Sequence, residues 1–312
     1  MGVFVFLPLI LPLTALPIAR LAEQHLHPRA ATRLLTVFGC VLALCSTLCL
    51  ALLMVVGTAQ LPGNPLPDAW SDPEVRAVVP YDEVTGTTAI GGLALVLGAG
   101  AVTVRRHHRV RARALRALEG LPPDAEPDLA VLPDDEPYAY ALPGSPGRVV
   151  VSTSMLASLD ASERHALLAH ERAHLARGHH RYLLAVRLAG CANPLLRPLY
   201  AAVAYGAERW ADEEAAHVVG DRKVTARAVA KAALVSRGAP APGLAGFASA
   251  GPVPRRVAAL LGPVPPARSW PPAASRAGLA AFVAAAGATA SALSALNAAI
   301  ALFLVLKAAT PL

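Results

Sequence analysis

Four uncharged, mostly apolar runs divide the chain: residues 1–19, 34–56, 84–104 and 277–306. Each is close to or longer than the ~20 residues an α-helix needs to cross a bilayer. They predict four transmembrane helices. Pro8, Pro12 and Pro17 in the first run would break a soluble helix, but membrane helices tolerate proline. No basic residue precedes Arg20, so a retained span is expected in preference to a signal peptide. The third run is the least hydrophobic. Its Gly91, Gly92, Gly98 and Gly100 predict close approach of a neighbouring helix. In the fourth, Gly287, Ser291 and Ser294 suit helix packing, and Asn297 is expected to bond inside the bundle.

The polar stretches between the runs set an orientation. Arg20, Arg29 and Arg33 follow the first run, and Arg105, Arg106, Arg109, Arg111, Arg113 and Arg116 follow the third. The loop over 58–83 is acidic instead, with Asp68, Asp72, Glu74, Asp82 and Glu83 against Arg76; Trp70 and Tyr81 there, and Trp270 before the fourth run, read as interfacial anchors. The positive-inside rule then puts the N-terminus outside and residues 105–276 in the cytoplasm.

Within 105–276 the pattern changes. Residues 121–137 are rich in Pro and acid and read as a linker. Two short alternating runs, 138–142 and 148–152, flank a Pro-Gly-Ser-Pro-Gly turn and predict a β-hairpin. Asp160 with Glu163 three residues later predicts a capped helix running to Arg177 and ending at Gly178. Helical stretches follow near 181–191, 198–219 and 223–236, and 238–273 reads as loop. The fold class expected is mainly α: an integral membrane protein with four transmembrane helices and a cytoplasmic α+β protease-like domain between spans three and four. Three units result: 1–104 with the spans at about 1–19, 34–56 and 84–104; 105–276; and 277–312 with the last span and a short extracytoplasmic tail.

Composition supports a membrane protein. The 312 residues are 55% hydrophobic, with a net charge of +7 that is almost all arginine. The basic stretch beside the third run lacks interleaved aromatics or a recognition motif, so no direct nucleic-acid binding is expected. Cys40, Cys45 and Cys49 lie within the second run and no C-x-x-C occurs, which excludes a zinc knuckle or a disulfide framework. Richness in Ala, Pro and Arg suggests a high-GC bacterial genome, hence a multi-pass bacterial cell-membrane protein.

The chemistry centres on His170-Glu171-Arg172-Ala173-His174, an H-E-x-x-H. With 10 His and 11 Glu in 312 residues, roughly 0.01 chance matches are expected. On a helix, positions i and i+4 share a face, so both imidazoles can reach one zinc ion, with Glu171 beside it as general base. A catalytic zinc needs a third protein ligand. Glu208, Asp212, Glu213, Glu214 and His217 are the candidates downstream. Glu208 and Asp212 form E-x-x-A-D and again share a helical face, so one can ligate while the other orients a ligating histidine. His179 and His180 are candidates for transition-state contacts, or are simply exposed.

H-E-R-A-H followed by E-R-W-A-D, after the strand R-V-V-V-S, resembles the gluzincin metallopeptidases. With three spans before the site and one after, the chain resembles BlaR/MecR-type membrane metallopeptidases in particular. That resemblance implies Zn2+ held by His170, His174 and Glu208, Glu171 as the base, and Asp212 orienting a ligand from behind. It also implies a protein substrate such as a BlaI-type transcriptional repressor. The antibiotic sensors continue into an extracellular penicillin-binding domain, whereas this sequence ends at Leu312, so a form lacking that sensor is expected. The Val149–Val151 strand is expected to pair with an extended substrate. Besides the substrate, the expected partners are the lipid bilayer and, compatibly, a further copy in a homo-oligomer. Two other readings stand beside this one: a quality-control or CAAX-type membrane gluzincin, and a non-catalytic receptor or scaffold. An intact Glu171 argues against the last, because a structural metal site needs no base.

Overall fold

Proline decides the path of the N-terminal segment. The computed structural model describes residues 2–118, 126–236, 252–265 and 274–310. The segment is a chain of short pieces: a 3-10 turn at Gly2–Val5, α1 at Leu7–Ile10, a second 3-10 turn at Leu11–Thr14 and α2 at Ala15–His25. A continuous helix was expected over 1–19. Pro8, Pro12 and Pro17 each lack the amide hydrogen that would close a helical turn. The stranded carbonyls find partners elsewhere. Ser294 Oγ donates to the Phe4 carbonyl at 2.6 Å, Ser46 Oγ to that of Pro8 at 2.8 Å, and Asn193 Nδ2 to that of Leu9 at 3.0 Å.

α3 (Pro28–Ala59) is followed by α4 (Pro73–Arg76) and α5 (Asp82–Ala117). Together with the last helix, Arg276–Ala309, α3 and α5 are long and apolar enough to cross a membrane; among the described residues these are the three that are. Leu44, Leu95, Val102, Phe282 and Phe303 stand exposed along them, a surface suited to lipid and not to water. α3 and α5 cross at a pair of glycines: a Cβ on Gly57 would lie 2.3 Å from the Gly86 backbone. The expected close approach at Gly91, Gly98 and Gly100 is not found, because those three face open space, and Gly92 makes only ordinary contact with Leu50. The 58–83 loop is tied back by Trp70, whose Nε1 donates to Thr310 Oγ1 at 2.8 Å.

Three strands come next: β1 (Leu129–Leu132), β2 (Ala139–Leu142) and β3 (Arg148–Ser152), in the spatial order β1-β3-β2. The expected hairpin is present, with Ala139 opposite Val151 and Leu142 opposite Arg148. β1 lies in the stretch read as linker, where its four apolar residues are hidden between Asp128 and Pro133; it pairs parallel to β3. This makes β3 the central strand, paired on both edges. Val149–Val151 therefore has no open edge for a substrate, and that expectation is corrected: β2 is the outer strand beside the site.

The helical part comprises α6 (Thr153–Ala157), α7 (Ala161–Arg177), α8 (His179–Ala192), α9 (Pro198–Val219), α10 (Arg222–Val235), α11 (Val253–Leu261) and α12 (Arg276–Ala309). α7 starts and stops as its sequence predicts. Asp160 accepts from the Glu163 amide at 2.8 Å, and Glu163 accepts from the Asp160 amide at 3.0 Å. Gly178, at φ +64°, ends the helix in the left-handed conformation. α11 was not expected within 238–273; residues 238–251 and 266–273 of that stretch, Trp270 among them, and residues 121–125 of the 121–137 linker lie outside the described residues.

A core of Leu35, Phe38, Leu42, Val186, Leu199 and Val203 joins α3 to α8 and α9. Gly206 allows α9 to lie against Thr32, where a Cβ would come within 2.7 Å of the hydroxyl. The turn between α8 and α9 reaches inward along α3, where Asn193 Nδ2 donates to Ser46 Oγ at 3.1 Å. Asn297, expected to bond inside the bundle, is exposed on the outer face of α12 instead, and has no hydrogen-bond partner among the described residues.

Candidate metal centre

α7 and α9 face one another across the site, and three donor atoms meet between them. His170 Nε2 and His174 Nε2 are 3.1 Å apart, His174 Nε2 and Glu208 Oε1 3.3 Å, and His170 Nε2 and Glu208 Oε2 3.5 Å. All three residues are buried. Ligands about 2.0–2.1 Å from a tetrahedral zinc are about 3.3 Å from each other, so this triangle has the size of one face of such a site, with a fourth corner left for water. Glu208 and Asp212 bring two negative charges into the interior and Arg256 returns one positive charge. The remaining negative charge calls for a cation, either a proton on an imidazole or a metal ion. The donor set and its charge both fit a metal.

The electrostatics express the same demand. Burial alone would lower the His170 pKa, but Asp212 and Glu208 overcome it and raise it to about 10. Burial lowers that of His174 to about 4. Burial would raise Glu208, yet Arg256 and His174 hold it well below the usual carboxylate range. Asp212 is driven down despite its burial, chiefly by its bonds to Arg256. Glu171 goes the other way: burial pushes it up to about 7, against the opposing pull of His170. The Ala141 amide of β2 lies by its carboxylate and favours the charged form slightly.

Asp212 stands behind His170, its Oδ1 3.1 Å from Nδ1, close but not aligned as a full hydrogen bond. This is where a carboxylate that orients a ligating histidine belongs. The other candidates fall away for stated reasons. His217 is exposed and outside the cluster. Glu213 is paired with Arg209 and Arg222, and Glu214 with Arg177 and Trp210.

Sequence reasoning missed Arg256 and left His179 open between a transition-state contact and an exposed residue. Arg256, on α11, forks onto Asp212 at 2.6 and 2.8 Å and reaches Glu208 Oε2 at 2.8 Å. Its signal was present: Val253, Val257 and Leu260 recur at helical spacing after Pro252. His179 is fully buried rather than exposed. Its Nδ1 lies 2.9 Å from His174 Nδ1, and its ring packs on Trp210 with centroids 4.8 Å apart. That contact fixes the back of the His174 ring and leaves Nε2 facing the triad. His180 is half-buried and away from the triad.

No curated protein and no solved structure matches this chain. The model of peptidase family M48 does match, over residues 103–205. The matched region runs from the end of α5 into α9 and contains H-E-R-A-H, stopping just before Glu208. Over about a third of its length the chain is thus similar to a metallopeptidase family, and it adds to that likeness a buried His-His-Glu triad and three membrane-length helices.

Proposed function

We propose that this protein is a membrane-anchored zinc endopeptidase, with His170, His174 and Glu208 holding the metal. The observation that carries the reading is the triangle of three buried donor atoms, 3.1–3.5 Å on a side. When bound, zinc would polarise the scissile carbonyl and acidify a water molecule. Glu171, which is not one of the three donors, accepts that water's proton on its carboxylate and returns it to the leaving amine. Asp212 and Arg256 hold His170 and Glu208 in register. The outer edge of β2, where Ala141 lies beside Glu171, receives an extended polypeptide by main-chain pairing, a mode that depends little on side chains.

The basic 20–33 and 105–116 segments favour a cytoplasmic protease unit over 105–276. The proline-broken N-terminal segment supplies the fourth crossing, since Ser46 and Ser294 satisfy the carbonyls that water would otherwise have to reach. The substrate is a protein presented at that membrane face. A BlaI-type repressor is one such protein, on the strength of the BlaR/MecR resemblance alone. The test is the purified full-length protein in detergent: zinc content, and cleavage of an unfolded protein before and after chelation. Zinc near one per chain with cleavage lost on chelation and restored by Zn2+ supports the reading; cleavage indifferent to the chelator, in a protein that holds no metal, defeats it.

A further inference from the structure

On the face of α7 away from the triad lies a cavity of about 730 Å3. Its wall includes Arg111 of α5, Asp128 before β1, Arg172 and Arg177 of α7, and His180 and Arg181 at the start of α8. Four arginines thus surround one carboxylate, and that carboxylate is already used. Arg172 forks onto Asp128 at 2.7 and 3.1 Å and pairs with Glu126 as well. Arg177 pairs with Glu214 at 2.8 Å. The other two cations have no carboxylate partner among the described residues. Arg111 gives its Nε to the Pro143 carbonyl at 2.8 Å, a neutral acceptor. Arg181 is exposed and makes no ion pair or side-chain hydrogen bond among the described residues. His180 makes none either; burial, then Arg181 and Arg111, hold its pKa down near 4. Among the described residues such a site lacks an anion.

Its height above the bilayer indicates which anion. The uncharged part of α5 ends at Val104, and Arg111 lies seven residues further along the same helix. At about 1.5 Å per residue that is roughly 10 Å past the end of the uncharged stretch, which the proposed membrane reading puts at the hydrocarbon boundary, and the headgroup layer itself is about 5–8 Å deep. A side chain as long as arginine reaches back into that layer. We propose that the cavity binds the phosphate headgroup of an acidic phospholipid, with Arg111 and Arg181 as its two principal contacts. Forked guanidinium groups suit phosphate oxygens, and basic pockets beside membrane helices suit acidic headgroups.

The test uses the full chain in a neutral detergent. Short-chain phosphatidylglycerol, short-chain phosphatidylcholine and inorganic phosphate are titrated separately while thermal unfolding is followed. Phosphatidylglycerol is expected to raise Tm saturably, phosphatidylcholine to leave it unchanged, and inorganic phosphate to act only at far higher concentration. Arg181→Gln removes no side-chain bond seen among the described residues, so its Tm without lipid should equal that of the parent. Its midpoint for phosphatidylglycerol should be roughly five- to tenfold weaker. Arg111→Gln should weaken binding similarly, while Arg109→Gln, outside the cavity, should not. An equal response to phosphatidylcholine, or an unchanged midpoint in Arg181→Gln, overturns the site. Inorganic phosphate as effective as the lipid overturns the lipid assignment.

Discussion

Arg256 and Asp212 are joined by two hydrogen bonds, of 2.6 and 2.8 Å, across 44 residues of sequence. Asp212 is wholly buried and Arg256 nearly so. The pair fastens α11 over the end of α9 and fixes the carboxylate that backs His170. It also places a permanent positive charge 2.8 Å from Glu208. That charge keeps Glu208 ionised without supplying a fourth donor to the triad.

Removing that arginine should therefore damage stability first. Arg256→Met leaves Asp212 buried without its two guanidinium hydrogen bonds and with only His170 beside it, and breaking such a buried pair typically costs about 3–5 kcal/mol. Arg256→Lys cannot fork onto both oxygens and should recover only part of the loss. The double variant Asp212→Asn with Arg256→Met should be more stable than Arg256→Met alone. Thermal unfolding of the four proteins checks the order; a double variant no better than Arg256→Met would remove the pairing argument.

Glu171→Gln keeps the shape of the side chain and all three donor atoms. Zinc content should remain near that of the parent while proteolysis falls by about 100-fold or more, the range ascribed to a general base. Metal analysis beside a cleavage assay distinguishes this from loss of the site, in which both would fall together.

Glu208, Asp212 and His217 should rank in that order. Glu208→Ala leaves two ligands and should abolish both metal binding and activity. Asp212→Asn should weaken metal affinity about 10–100-fold, as loss of a carboxylate behind a ligating histidine does. His217→Ala, at an exposed position outside the cluster, should behave as the parent. Zinc stoichiometry across the set decides it, and loss of metal from His217→Ala alone would refute the triad.

Much of this centre could be read in the chain because its determinants are local. H-E-x-x-H, E-x-x-A-D and the Asp160–Glu163 cap each lie within one or two turns of a single helix, where spacing alone fixes which residues share a face. What escaped depends on pairing between distant elements. β1 is four residues long and becomes a strand only because β3 offers it an edge. α11 is short, and the stretches on either side are dominated by proline and glycine. The prolines of the first run and Ser294 are visible in the sequence, but not that Ser294 and Ser46 bond to the carbonyls those prolines strand. Likewise the glycines of α5 were noticed as a group, while the one that matters, Gly86, is singled out only by the position of Gly57.

That crossing yields a contrast within one helix. Gly86→Ala drives a methyl group into the Gly57 backbone, so α3 and α5 must separate. The cost should be at least about 1–3 kcal/mol, as for other overpacked interfaces. Gly98→Ala meets nothing and should be neutral or slightly stabilising. Unfolding of the two variants in the same detergent compares them directly, and equal stability would mean that the helices do not meet at Gly57.

With α3 read as a membrane span, as proposed above, the seating of α9 against it gives the bilayer a second role. Gly206 presses on Thr32, two residues before the uncharged stretch of α3 begins, and Glu208 follows within the same turn. The three donor atoms are thereby tied to α3 at a fixed distance from its uncharged stretch. In a membrane peptidase of the kind proposed, a change in lipid thickness that tilts α3 would tilt the site with it, and the distance between the hydrocarbon boundary and the bond to be cut would act as a ruler written into the protein's own mounting.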